Sequence, residues 1–152
     1  MEQGDAIPAV TVTTPEGGAL ALGELKGPLV VYFYPKDDTS GCTREAQDFT
    51  ALAADFRAAG VRVIGISKDS PAKHQKFAAK YDLTVELASD EDGTACEAFG
   101  VWSEKKLYGK TYMGIERATF LFDGEGRLAT SWRKVKVPGH AEEVLAAARA
   151  LP

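Results

Sequence analysis

Hydrophobic and polar positions along this chain switch repeatedly between two periods. The stretch PLVVYFYP, residues 28–35, is a continuous run of β-branched and aromatic residues between prolines, which reads as a buried central strand. Helical spacing follows. Ala46, Phe49, Leu52, Ala53 and Phe56 line one side of SGCTREAQDFTALAADFRAAG, and Gly60 supplies a stop. VRVIGIS (61–67) predicts a second strand, and SPAKHQKFAAKYD (70–82) a helix with serine and proline at its start. TVELAS predicts a short strand, and DGTACEAFG a short helix ending at Gly100. RATFLFDGEGRLATSWRK predicts a hairpin turning through Asp123-Gly124-Glu125-Gly126. GHAEEVLAAARAL predicts a last helix with its acids early and Arg149 late, as the helix dipole favours. AVTVTTPEGGALAL fits a small N-terminal hairpin, and VWSEKKLYGKTYMGIE is the least regular segment.

Read in order, these elements run β-α-β-α-β-α and then add a hairpin and a closing helix. That order predicts an α/β fold: a central mixed β-sheet flanked by helices on both faces, thioredoxin-like, with an N-terminal β-hairpin. At 152 residues the chain is expected to form one domain, 1–152, with a sizeable core. In such sheets functional loops gather at the carboxyl ends of strands. The loop PKDDTSG leaves that end of the buried strand and enters the longest helix.

Composition removes several function classes. A net charge of −4 argues against a nucleic-acid partner. No stretch approaches the roughly 20 apolar residues of a membrane span. The start MEQGDAIPAVTV lacks the basic and apolar segments of an export signal, so a cytoplasmic location is expected. Two widely separated cysteines do not make a disulfide scaffold.

Cys42 is the notable residue. Unreactive cysteines normally sit among apolar neighbours, yet this one lies in YPKDDTSGCTREAQDF, a polar setting that does not read as buried packing. It falls in the first turn of a helix, where unpaired amides and a partial positive charge favour a thiolate over a thiol. Thr39 or Ser40 can cap that helix and offer a hydroxyl near the sulfur, Gly41 permits close backbone approach, Arg44 adds positive charge, and Glu45 suits a helix start. These features alone leave an activated thiolate and an inert exposed cysteine equally open. Spacing removes some chemistries. A C-x-x-C exchanger fails because the third residue on is Glu45, and a cysteine phosphatase loop fails at Asp48, where it wants arginine. A cysteine-histidine pair would draw on His74 or His140, both read as surface residues. Two cysteines and two scattered histidines lack zinc-ligand spacing, so no metal is expected.

The motif Pro35-Lys-Asp-Asp-Thr39-Ser-Gly-Cys42 resembles the P-x-x-x-T-x-x-C motif of peroxiredoxins, and FYPKDDTSGCTREAQDF, GVRVIGIS, FGVW, YGKTYMGIERATFLFD and WRKVKVPGHAEEVL are similar to the peroxiredoxin Q, or bacterioferritin comigratory protein, subfamily. The resemblance covers nearly the whole chain. It implies a thiol peroxidase without cofactor, acting on hydrogen peroxide and alkyl hydroperoxides and regenerated by thioredoxin or a similar thiol. Cys42 would attack one peroxide oxygen and become a sulfenic acid. Helix amides, the Thr39 hydroxyl and Arg117 would meet the charge moving onto the leaving oxygen. Pro35 would fence the pocket from water, and Glu45 and Arg44 would support it.

One departure stands out. Many members carry a resolving cysteine five residues after the first, and here that position is Gln47; others place it in the region of 71–80, where none occurs. Cys96 remains, and beside Ala95, Ala98 and Phe99 it reads as a small core residue. A one-cysteine cycle is therefore expected, with Cys96 the alternative resolving thiol. Trp102, Trp132, Tyr108 and Tyr112 are expected to pack rather than rim a pocket, WRKVKVPGH to be a solvated strand face, and the chain to be a monomer. The competing class is a peroxide sensor on the same fold, oxidised once without turnover.

Overall fold

The computed structural model describes all 152 residues. Seven strands form one sheet in the order β2-β1-β5-β4-β3-β8-β9. β1 (Thr11–Thr13) and β2 (Ala19–Ala21) form the expected N-terminal hairpin on one side. β3 (Leu29–Phe33), β4 (Arg62–Ser67) and β5 (Glu86–Ser89) run parallel, β8 (Ala118–Phe122) pairs antiparallel with β3, and β9 (Leu128–Trp132) pairs antiparallel with β8 at the edge. The mixed sheet is the one that the element order predicts.

Alternation along the central strands divides the core in two. Val31 and Phe33 of β3, Ile64 and Ile66 of β4, and Phe120 and Phe122 of β8 face one way. Val30, Tyr32, Tyr34 and Leu121 face the other. The second face is covered by α1 (Ser40–Ala51), α2 (Ala53–Ala58), α3 (Pro71–Tyr81) and α5 (His140–Arg149) through Phe49, Phe56, Phe77 and Val144. The first face is covered by the short α4 (Thr94–Ala98), which brings Ala95 and Cys96, together with Phe99 and the N-terminal segment. Residues 40–60 were expected to form one helix; at Leu52 the backbone turns to φ −99°, ψ 6°, and the apolar stripe continues into α2 on a new axis.

The segment 101–116 corrects the sequence reading. It is a regular two-stranded ribbon, β6 (Trp102–Leu107) paired with β7 (Lys110–Ile115) and joined by Tyr108 and Gly109, both at positive φ. Its strands escape a period-two search because both faces of their outer half are solvated, so polar and apolar residues do not alternate. Tyr108 and Tyr112, expected to pack, are 95% and 48% exposed on this ribbon. Trp102 does pack, against the α4 face of the core, and Trp132 packs at the edge of the other. No helix is long and apolar enough to cross a membrane.

Candidate active site

The loop 34–39 carries the chain from the carboxyl end of β3 into α1, with Thr39 at the helix cap. Antiparallel register pairs Phe33 with Ala118, so the start of β8 lies beside the end of β3. Arg117, the residue just before β8, is thereby delivered to the first turn of α1. Its Nη2 donates to Cys42 Sγ at 3.2 Å, and its Nη1 donates to Glu45 Oε1 at 2.6 Å. The planar guanidinium fork spans both groups, which a point-charge ammonium cannot do in the same geometry.

Gly41 explains how close this approach is. A Cβ at position 41 would stand 3.2 Å from Arg117 Nη2, so a side chain there would crowd the guanidinium. No side chain caps α1, so its first-turn amides are not taken up by a capping residue. Thr39, expected as a cap, instead donates its hydroxyl to the Lys36 carbonyl at 2.8 Å and closes the loop on itself.

Cys42 is buried, only 2% exposed, against Tyr32, Tyr34 and Phe49 on the helix-covered face. The polar sequence around it divides: Lys36, Asp38, Thr39, Arg44 and Gln47 are exposed, while Asp37, Thr43 and Glu45 are buried along with the sulfur. Its neighbours also respond to that environment. Tyr32 stacks on Phe49 with centroids 4.6 Å apart and keeps a buried hydroxyl without a hydrogen-bond partner. Burial, then the charges of Glu45 and Cys42, raise the Tyr32 phenol well above its ordinary range, so it remains a neutral wall. Glu45 is also buried: burial pushes its carboxyl up to about 7 against the opposing pull of Arg117, and Oε2 has no partner.

The remaining sequence candidates divide. Arg44 is not brought to the sulfur; it is exposed and pairs with Asp48 one turn on at 3.0 Å. Pro35 is exposed, and Tyr34 and Asp37 supply the buried side of the loop. Gln47, at the position where the resemblance implies a resolving cysteine, faces solvent. Cys96 is fully buried on the opposite face of the sheet from Cys42, and burial, with Asp90 nearby, raises its thiol far above the usual range. His74 and His140, read as surface residues, are both buried. His140 meets Thr119 Oγ1 at 2.8 Å, and burial lowers its imidazole from the ordinary value. His74 bonds to Asp37 of the loop at 2.7 Å. A histidine amid lysines and glutamine carries no sign of that partner in sequence, because the pairing spans 37 positions.

Comparison with known proteins agrees with this geometry. Residues 3–131 match the model of the AhpC/TSA family. A Bacillus subtilis protein named peroxiredoxin Bcp is 47% identical over 146 residues, covering 95% of this chain and 93% of its own. The solved Xanthomonas campestris bacterioferritin comigratory protein, described for its alkyl peroxide reduction activity, superposes with a TM-score of 0.88 at 45% identity and covers 96% of this chain and 98% of its own. A mutant Xylella fastidiosa PrxQ structure gives a TM-score of 0.92 at 39% identity, covering 99% and 96% respectively. The chain therefore belongs to the AhpC/TSA family and, within it, to the Bcp, or peroxiredoxin Q, group of thioredoxin-fold, thiol-dependent peroxidases.

Proposed function

We propose that Cys42 is the peroxidatic nucleophile, acting on hydrogen peroxide and alkyl hydroperoxides in a one-cysteine cycle regenerated by thioredoxin or another external thiol. The contact between Arg117 Nη2 and Cys42 Sγ at the start of α1 carries this reading. A guanidinium held against the sulfur complements the negative charge of the attacking atom. The thiolate attacks one peroxide oxygen in line, the O–O bond breaks, and the departing alkoxide or hydroxide takes up a proton. Cys42 then holds a sulfenic acid. Arg117 and the α1 amides donate to the oxygens as charge moves from sulfur to the leaving group. Thr39 keeps the loop closed through Lys36, Pro35 screens the entrance, and Glu45 orients Arg117.

Regeneration needs two external thiols. The first displaces water from the sulfenic acid and forms a mixed disulfide with Cys42; the second breaks that disulfide and releases the thiol. Cys96 takes no part in this reading, since the sheet separates it from Cys42 and it holds its proton tightly. The chain works as one domain over 1–152, as a cytoplasmic monomer. A peroxide-consumption assay with thioredoxin and its reductase tests the proposal. Sustained turnover that Cys42→Ser abolishes is expected, whereas a single stoichiometric oxidation, or turnover surviving that substitution, would sink it.

A further inference from the structure

The loop that carries the motif is held from outside by α3, through polar contacts that are buried at Asp37 and exposed at Asp38 and that peroxide chemistry itself does not require. Tyr34 Oη donates to Asp37 Oδ1 at 2.6 Å, and His74 Nδ1 lies 2.7 Å from Asp37 Oδ2. His74 Nε2 stands 3.0 Å from the Ala88 carbonyl oxygen, which only accepts, so this nitrogen carries a proton. The Asp37 backbone N–H donates to Asp69 Oδ2 at 2.8 Å, and the Ser67 hydroxyl donates to the same oxygen. Asp37 is thus fixed through both side chain and main chain, to β4, β5 and α3 together.

The next residue is held as well. Asp38 adopts φ +60°, a left-handed conformation that L-residues avoid and that aspartate tolerates better than most. Lys80 Nζ donates to Asp38 Oδ2 at 2.8 Å and the Tyr81 hydroxyl donates to Oδ1. His74, Phe77 and Tyr81 lie at i, i+3 and i+7, one face of α3, and Phe77 and Tyr81 meet edge to face at 5.7 Å. One helix face therefore clamps two successive loop residues four and five positions ahead of Cys42.

The consequence lies in how the site is assembled. Cys42 arrives from β3 through this loop, whereas Arg117 arrives from β8, and the 3.2 Å contact forms only if both are held independently in place. The left-handed turn at Asp38 sets the direction in which α1 leaves the loop. We infer that His74, Lys80 and Tyr81 are positioning residues, which through Asp37 and Asp38 hold the loop so that Cys42 meets Arg117. This rests on Cys42 being the peroxidatic residue.

The test measures the second-order rate of Cys42 oxidation by hydrogen peroxide, using rapid quenching, alkylation and mass spectrometry, with melting temperatures recorded alongside. His74→Gln keeps an amide for the Ala88 carbonyl but loses the Asp37 contact, and should slow oxidation about tenfold or more. The pair K80A with Y81F frees Asp38 and should slow it several-fold; adding Asp38→Gly, which takes positive φ without strain, should restore much of that loss. A purely structural contribution would not be rescued by removing the carboxylate that the clamp grips. An unchanged rate in folded His74→Gln, or in K80A/Y81F, overturns the inference, as does failure of Asp38→Gly to restore the rate. Should His74→Gln fail to fold, the substitutions at exposed Lys80 and half-buried Tyr81 carry the decision. A wild-type Cys42 that does not react would overturn the peroxidatic assignment as well, a result distinct from equal rates in wild type and variants.

Discussion

Arg117 and Cys42 stand 75 positions apart in sequence, and their side chains meet at 3.2 Å because antiparallel register sets Ala118 opposite Phe33. Two strand ends brought together by one ladder deliver a cation to a helix start. Arg117→Lys keeps the charge but loses the fork that reaches both Cys42 and Glu45. We expect the rate constant for Cys42 oxidation to fall by about 10²-fold, the scale of losing one oriented donor to a developing charge. Stopped-flow measurement of the peroxide reaction checks this, and a variant within a few-fold of wild type would contradict the role.

Gly41 separates stability from activity. Alanine is the better helix former by up to about 1 kcal/mol, yet its Cβ would stand 3.2 Å from Arg117 Nη2. Gly41→Ala should therefore keep or raise the urea midpoint while slowing Cys42 oxidation. If both quantities fell together, the effect would be general unfolding rather than displacement of the guanidinium.

Glu45 makes stability depend on pH. Burial raises its carboxyl from 4.5 to about 7, so the native state binds more protons than the unfolded chain between those values. Stability on this account falls as pH rises through that window, the reverse of an ordinary salt-bridged acid. Urea unfolding at pH 5 and pH 8 should show wild type losing about 2 kcal/mol relative to Glu45→Gln, the scale of a shift of this size. A difference between the two proteins that does not change with pH would remove the claim.

Cys96 should be dispensable for turnover. It faces the α4 side of the sheet while Cys42 faces the α1 side, so a disulfide would need one of them to cross the central strands. Cys96→Ala should leave steady-state peroxidase activity within about twofold of wild type, at some loss of stability from the smaller core side chain. Mass spectrometry after one equivalent of peroxide should find one added oxygen on Cys42. Loss of two hydrogens, with Cys42 joined to Cys96 in one chain, would reinstate the resolving role.

Much of the fold was legible because its central elements repeat simple periods. PLVVYFYP became β3, and both of its faces are buried, which is why the run is continuous rather than alternating. Ser70 caps α3 by accepting from the Lys73 amide, as serine before Pro71 predicts. The ribbon β6–β7 was missed because its outer half buries neither face, leaving no period to find. The helix over 40–60 was read as one because an apolar stripe does not reveal a break at Leu52.

By itself the sequence determined the order of the elements of the main sheet and most of its covering helices, the placement of Cys42 in the first turn of α1, and the family to which the chain belongs. These depend on neighbours close along the chain, or on a motif compact enough to read. Burial of the Cys42 sulfur, the outward turn of Arg44, the pairing of His74 with Asp37 and the separation of the two thiols by a sheet were decided only in three dimensions. Each depends on which face of an element meets which other element. Strand register fixes that choice across tens of residues, and no local pattern records it.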